Sequence, residues 1–397
     1  MAASLKFLSA IPSSECFIFI RNANCINRSI KSKPLRSFSS CKNFFTEKIC
    51  TRKLIVASSV GFAGVTFAVL KSWAPVWPTL AAESRQKPDF KPSKSIRIET
   101  DNSGLKLTLF QFQTCPFCCK VRAVLDYYGL SYDIVEVNSV TKKQIKWSNY
   151  KKVPVLIADG IGESGYLQLN DSSVIISVLE SWRKDPCQSL QKLLECYVVI
   201  ESEEKGKKVY EYPNKYFIML MEKEDASSNP AQRQEERKWR KWADDHLVHM
   251  LSPNVYRSPS EALQAFRYFS EVGEWEKNFS SLERWIIIWT GSTVMYLLGK
   301  MLKKKYHLKD DVRESLYDAC REWMLAVGTD RIFMGGDQPN LADLAVYGVL
   351  NAIEGCQAFQ DVLDCTNIGP WYRAVQKMVN SHAGSHPLST YDIAQFP

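Results

Sequence analysis

Residues 105–118 read LKLTLFQFQTCPFC. Leu105, Leu107 and Leu109 alternate, the two-residue period of a strand over 105–112. Cys115-Pro116-Phe117-Cys118 follows. Val121, Val124, Leu125 and Tyr128 then recur at helical spacing, with Gly129 as a stop. Further on, YDIVEVN (132–138) predicts a second strand, the polar stretch 139–150 a helix, and KKVPVLIADG (151–160) a strand entered through Val153-Pro154. Asn170-Asp171-Ser172-Ser173 precedes VIISVLESW (174–182), which reads as an N-cap and an apolar-faced helix. The order is β-α-β-α-β-(β)-α over residues 105–185.

The position of the cysteines decides their chemistry. A cysteine at a helix N-terminus meets unpaired backbone N–H groups and the positive end of the helix dipole. Both favour thiolate and lower the pKa from its ordinary ~8.5. Cys115 is therefore the candidate nucleophile, and Cys118, one turn in, the candidate resolving thiol. Pro116 suits the first helical turn, where its missing N–H costs nothing. Cys119 beside Cys118 raises zinc, but no second cysteine pair or nearby histidine completes four ligands. A cluster bridged between two subunits and an inert buried CPFC stay open as alternatives.

This strand–CPFC–helix order, with Val-Pro before a later strand, resembles the thioredoxin superfamily, closest to glutaredoxins and glutathione transferase N-terminal domains. The resemblance implies a cis Pro154 facing the cysteine, and a Val153 backbone offered to glutathione like an added strand.

The chain has 397 residues, 45% apolar and 24% charged, which excludes wholesale disorder and leaves room for two domains. Twelve irregularly spaced cysteines in so long a chain are no disulfide scaffold, so the body belongs in a reducing compartment. Residues 1–53 carry ten Lys/Arg against Glu15 and Glu47 and so hold the whole net charge of +8. The remainder is balanced, which argues against nucleic acid as a partner. The basic segment reads as a mitochondrial-type transit sequence or a basic tail. Residues 54–70, LIVASSVGFAGVTFAVL, are 17 uncharged residues between Lys53 and Lys71. That length is at the lower limit for a bilayer, and a single transmembrane helix is expected. Residues 71–104 read as a linker.

Residues 186–211 read as a connecting segment, 212–380 as an all-α domain and 381–397 as a tail. WIIIWTGSTVMYLLG (285–299) is short for a span and is expected as a core helix. In PNLADLAVYGVLNAIEG (339–355), Asn340 is the expected N-cap, with Asp343 at the third helical position. That pattern resembles the central capped helix of glutathione transferase C-terminal domains. His246 and His249, three apart, share one face of an ideal helix; they read as a partly exposed pair or as pocket-lining residues.

The run from Cys115 to Gly160, with LNDSSVIIS (169–177), NKYFIMLMEKE (214–224), KWRKWADDHLVHMLSPNVYRSP (238–259) and FMGGDQPNLADLAVYGVL (333–350), resembles the membrane-associated prostaglandin E synthase type 2 family. The resemblance covers about 105–380. It implies an isomerase that turns prostaglandin H2 into prostaglandin E2 through Cys115, with Phe112 and Phe117 at the substrate pocket. It implies glutathione held by Val153, Pro154, Asp171 and Ser172, and haem held with it by His246, His249, Ser252 and Lys305. In the haem–glutathione form the family is associated with breakdown of prostaglandin H2 to a hydroxy fatty acid and malondialdehyde. It further implies a homodimer and a single-pass protein of the Golgi or mitochondrial membrane, with a soluble cytoplasmic form after cleavage. Two departures stand out. Phe112 occupies a position where the family has a tyrosine whose hydroxyl can bond the reactive sulfur, and Met301 stands where an arginine is common. The competing readings are a membrane-tethered glutaredoxin-like oxidoreductase and a non-enzymatic haem- or glutathione-binding module.

Overall fold

The computed structural model describes residues 89–139, 141–161, 165–204, 207–219 and 229–385. The basic segment 1–53 and the expected span 54–70 lie outside the described residues.

Five strands form one sheet in the order β1-β3-β2-β4-β5. They are β1 (Lys94–Ile96), β2 (Lys106–Gln111), β3 (Tyr132–Glu136), β4 (Val155–Asp159) and β5 (Tyr166–Asn170). β2 and β3 are parallel and joined by α1 (Pro116–Tyr127); the other pairs are antiparallel. Alternation along β2 sorts its side chains. Leu107 and Leu109 pack against α1 and α2 (Ser172–Lys184), while Phe110 joins Val135, Val155 and Ile157 on the opposite face. Gly129, at φ 67°, takes the left-handed turn after α1 that a side chain would strain.

Two expectations fail here. The linker reading of 71–104 misses β1, a three-residue edge strand. Its polar side chains carry no period, and backbone pairing to β3 plus the bond from Ser95 Oγ to Asp133 hold it (2.6 Å). The helix expected over 139–150 shrinks to one 3-10 turn, Lys143–Ile145. The connecting segment forms α3 (Leu190–Glu195) and a hairpin, β6 (Ile200–Glu204) with β7 (Lys207–Glu211).

The later described elements are helices: α4 (Pro230–Trp242), α5 (Val248–Val255), α6 (Pro259–Val272), α7 (Trp275–Asn278), α8 (Ser281–Lys305), α9 (Val312–Val327), α10 (Leu341–Asn351), α11 (Gln357–Cys365) and α12 (Ile368–Asn380). The fold is the expected thioredoxin-like α/β domain followed by an all-α domain. Buried α10 is the hub. Asn340 and Asp343 form its capping box, and Asp343 also accepts from Met334 N, Gly335 N and Trp371 Nε1. α10 meets α1 at Gly348, where a Cβ would lie 2.6 Å from Lys120 Cα.

α8 corrects the core-helix reading of 285–299. Only 17% of its most apolar stretch is buried, and Leu282, Trp285, Trp289, Leu297 and Met301 are exposed. A run that is apolar all round has no polar face to say which side turns outward. By length and composition alone α8 is long enough to cross a membrane.

Candidate active site at the α1 N-terminus

Strand register gathers the site. Phe110 pairs with Val155, and Val155 with Asn170. Gln111, Pro154 and Asp171 therefore leave the sheet side by side. The loop to Cys115, the backbone of Val153 and the N-terminus of α2 converge at one sheet end. The Val153–Pro154 peptide is cis.

Cys115 is the N-cap of α1, in extended conformation and half-buried, with Pro116 at the first helical position. Cys118 is fully buried. Burial first, then its hydrogen bond to Cys115 and that group's charge, push the Cys118 thiol well up. Cys118 thus keeps its proton and donates it toward Cys115. That bond and the helix N-terminus both favour negative charge on the Cys115 sulfur. Phe117 is half-buried nearby, with Lys120 Nζ 5.3 Å from its ring centroid. Phe112 packs instead on the far face of the sheet, with Tyr150 and Val153.

Asp171 caps α2 at φ 66°, accepting from Ser173 N (2.8 Å) and Val174 N (3.4 Å). A left-handed non-glycine costs about 1–3 kcal/mol and persists where the surroundings impose it. The family resemblance has a ligand carboxylate received at Asp171 and Ser172, on the α2 N-terminus. Asp171's own carboxylate takes two of those donors, and Ser172 is buried. The compensating cation is Lys215, whose Nζ lies 3.5 Å from Asp171 Oδ2. The Tyr150 hydroxyl bonds to the backbone of Asp171. Sequence reading misses both; the only signal for Lys215 is its place in the NKYFIML run.

A buried network ties this end of the domain to the helices. Lys120, on α1, pairs with Asp244, which also accepts from Ser173 Oγ (2.7 Å) and the Tyr216 hydroxyl (3.0 Å). Burial alone would raise the Asp244 carboxyl. The charges of Lys120 and Lys215, with the Lys120 and Ser173 hydrogen bonds, instead hold it at about 2.

The two histidines part company. α4 passes into α5 through a π turn, Ala243–Leu247, whose extra residue rotates α5 relative to α4. His246 is exposed, 5.6 Å from the Trp242 ring, whereas His249 is buried and stacked on Tyr306 at 4.3 Å. Burial first, then the charge of Lys305, lower His249 to about 4, so it is neutral at pH 7. Lys305 Nζ lies 4.9 Å from the Tyr306 ring, which brings His249 and Lys305 together. Ser252, also buried, sits one turn along α5.

A family model for the glutathione S-transferase N-terminal domain matches residues 109–186. A glutathione transferase from Burkholderia graminis, solved with two glutathione molecules per subunit, aligns over 70% of this chain and 88% of its own at 15% identity, with a TM-score of 0.40. Prostaglandin E synthase 2 of Danio rerio is 47% identical over 290 residues, covering 72% of this chain and 74% of that protein. Prostaglandin E synthase 2 of Mus musculus is 45% identical over 304 residues, covering 76% and 77%. The chain belongs to the prostaglandin E synthase 2 family. Within that family's expected haem stretch, His249 does not suit axial ligation. Both ring nitrogens of His249 are buried, so neither is open to an iron in this arrangement. His246 is exposed, beside Trp242.

Proposed function

We propose that this chain isomerises prostaglandin H2 to prostaglandin E2 with the Cys115 thiolate as nucleophile. The observation that carries the reading is Cys115 at the N-cap position of α1 with the protonated Cys118 behind it, in a chain of the prostaglandin E synthase 2 family. The sulfur attacks the endoperoxide oxygen on C9, forming S–O and breaking O–O. The other oxygen leaves from its bond and takes a proton as the C11 hydroxyl. Loss of the C9 proton forms the ketone, and the S–O electron pair returns to sulfur. The reaction is redox-neutral overall and regenerates the thiolate. Phe117 supplies apolar surface beside the thiol.

Glutathione is proposed to lie along the Val153 backbone next to the cis Pro154, with its carboxylates toward the Ser172 N–H and Lys215. The test is incubation of the chain with prostaglandin H2, with and without glutathione, and quantification of products by mass spectrometry. Prostaglandin E2 above the uncatalysed level supports the reading. Only a hydroxy fatty acid and malondialdehyde, or nothing above background, sinks it.

The body is proposed to be tethered to a membrane by residues 54–70 and to form a homodimer through the exposed face of α8. Two exposed tryptophans on one helix, Trp285 and Trp289, favour a covered surface. Trp285→Glu with Trp289→Glu is expected to halve the particle mass of residues 89–397 in light scattering. An unchanged mass in that double variant refutes α8 as the contact.

A further inference from the structure

The turn that delivers Cys115 is held from outside. Cys115 N–H donates to the Phe112 carbonyl (3.0 Å), which closes a turn with Gln113 and Thr114 at its centre. Both backbone polar groups of Gln113 are taken by side chains of other elements. Its N–H donates to Glu136 Oε1 (2.8 Å). Its carbonyl accepts from Arg122 Nη2 (2.8 Å) and from the Cys119 thiol (3.4 Å). Glu136 is the last residue of β3, set beside Gln111 by the parallel register, whereas Arg122 and Cys119 stand on α1. Arg122 Nη1 also donates to Gln111 Oε1 (2.6 Å), and Gln111 Nε2 to Glu136 Oε2 (3.3 Å). The bonds thus close a ring from Glu136 through Gln113, Arg122 and Gln111 back to Glu136.

None of these residues belongs to the thiol, glutathione or haem sites described above. Gln111, Cys119 and Glu136 are buried, and Arg122 is half-buried. Burial first raises the Glu136 carboxyl, to about 7, and the bond from Gln113 N–H is the largest influence opposing it. Glu136 and Asp126 both face the Arg122 charge and balance it, so the guanidinium acts on the turn by geometry rather than as a bare charge. Mere pairing of buried polar groups would stabilise the fold without touching the thiol. The difference lies in what the turn carries.

We propose that Glu136 and Arg122 are positioning residues for Cys115. Acting through the Gln113 backbone, they fix the turn so that the Cys115 sulfur stays at the α1 N-terminus and within reach of the Cys118 thiol. Both of those neighbours favour thiolate. A turn free to shift loses them, and the thiol pKa rises. The role in turnover rests on the reading of Cys115 as the nucleophile.

The test is the pH dependence of iodoacetamide labelling of Cys115 in the full chain in detergent, read by peptide mass spectrometry. It needs no prostaglandin. Glu136→Leu removes both acceptor oxygens and is expected to raise the labelling midpoint by about one pH unit, a roughly tenfold slower rate below it. Loss of the Glu136 charge alone would move the midpoint the other way. Glu136→Gln keeps an acceptor for Gln113 N–H without the charge and is expected to restore the native midpoint. Arg122→Lys keeps the charge but lacks the fork that spans Gln111 and Gln113, so a raised midpoint is expected there too. That variant decides the matter if Glu136→Leu does not fold. Native or lower midpoints in Glu136→Leu and Arg122→Lys overturn the proposal, and so does a midpoint as high in Glu136→Gln as in Glu136→Leu. A native chain that forms no prostaglandin E2 but shows these shifts sinks the isomerase and leaves the positioning role standing; prostaglandin E2 without the shifts does the reverse.

Discussion

Cys115→Ser is expected to lower conversion of prostaglandin H2 to prostaglandin E2 by on the order of 10³-fold, to near the uncatalysed rate. A serine hydroxyl is not ionised at neutral pH and is a poor soft nucleophile toward an O–O bond. The substitution does not damage the scaffold. Serine is among the favoured N-cap residues, whereas Cys115 makes no side-chain capping bond, so α1 should be as stable or more so. Loss of rate with an unchanged or higher Tm therefore isolates the chemistry. Cys118→Ser separates the isomerase from dithiol exchange. Cys118 contributes a hydrogen bond to Cys115, worth about 1–3 kcal/mol to a charged group, and a serine hydroxyl can replace it. Activity within roughly tenfold of the native chain is expected for Cys118→Ser. Initial rates by mass spectrometry decide it. Equal collapse in both variants would mean that a disulfide cycles through the pair.

A feature is legible in the sequence to the degree that its cause is local. The α1 N-terminus, the Val153-Pro154 entry to β4 and the Asn340–Asp343 box are set by neighbouring residues, and each stands where the sequence puts it. Features set by distant partners are not legible. β1 is held by backbone pairing, which leaves no side-chain period in Lys94–Ile96. His246 and His249 share a face only if the helix is regular, and one π turn separates them. The uncharged run in α8 reports apolarity without direction, so it suggests burial where exposure occurs. Lys215 looks like any surface lysine until the fold sets it beside Asp171. Lys120 and Asp244 are 124 residues apart in sequence, and nothing in either neighbourhood announces the other.

That last pair carries the largest expected effect on stability. Lys120 is 1% exposed and Asp244 5%, at the junction of α1, α2 and the π turn after α4. Asp244→Asn keeps the shape but leaves the Lys120 charge without its counter-ion. Removing one partner of a buried pair costs about 3–5 kcal/mol, because the other charge stays buried and uncompensated. Denaturant unfolding should show that loss as a lower midpoint at an unchanged m-value. Replacing both partners, Lys120→Met with Asp244→Leu, should recover much of it, since no bare charge remains. Persistent loss in the double variant would place the damage in Ser173 and Tyr216, whose hydroxyls also donate to Asp244. The same carboxyl sets an acid limit. Its folded pKa, about 2, lies below its ordinary 3.8. A depressed carboxyl stabilises the fold fully above its unfolded pKa and loses that contribution as pH falls through the folded one. Roughly 2 kcal/mol should therefore disappear between about pH 4 and pH 2. In Asp244→Asn this part of the acid transition should be absent, so the gap to the native chain should narrow by about that amount, without closing, as the pH approaches 2.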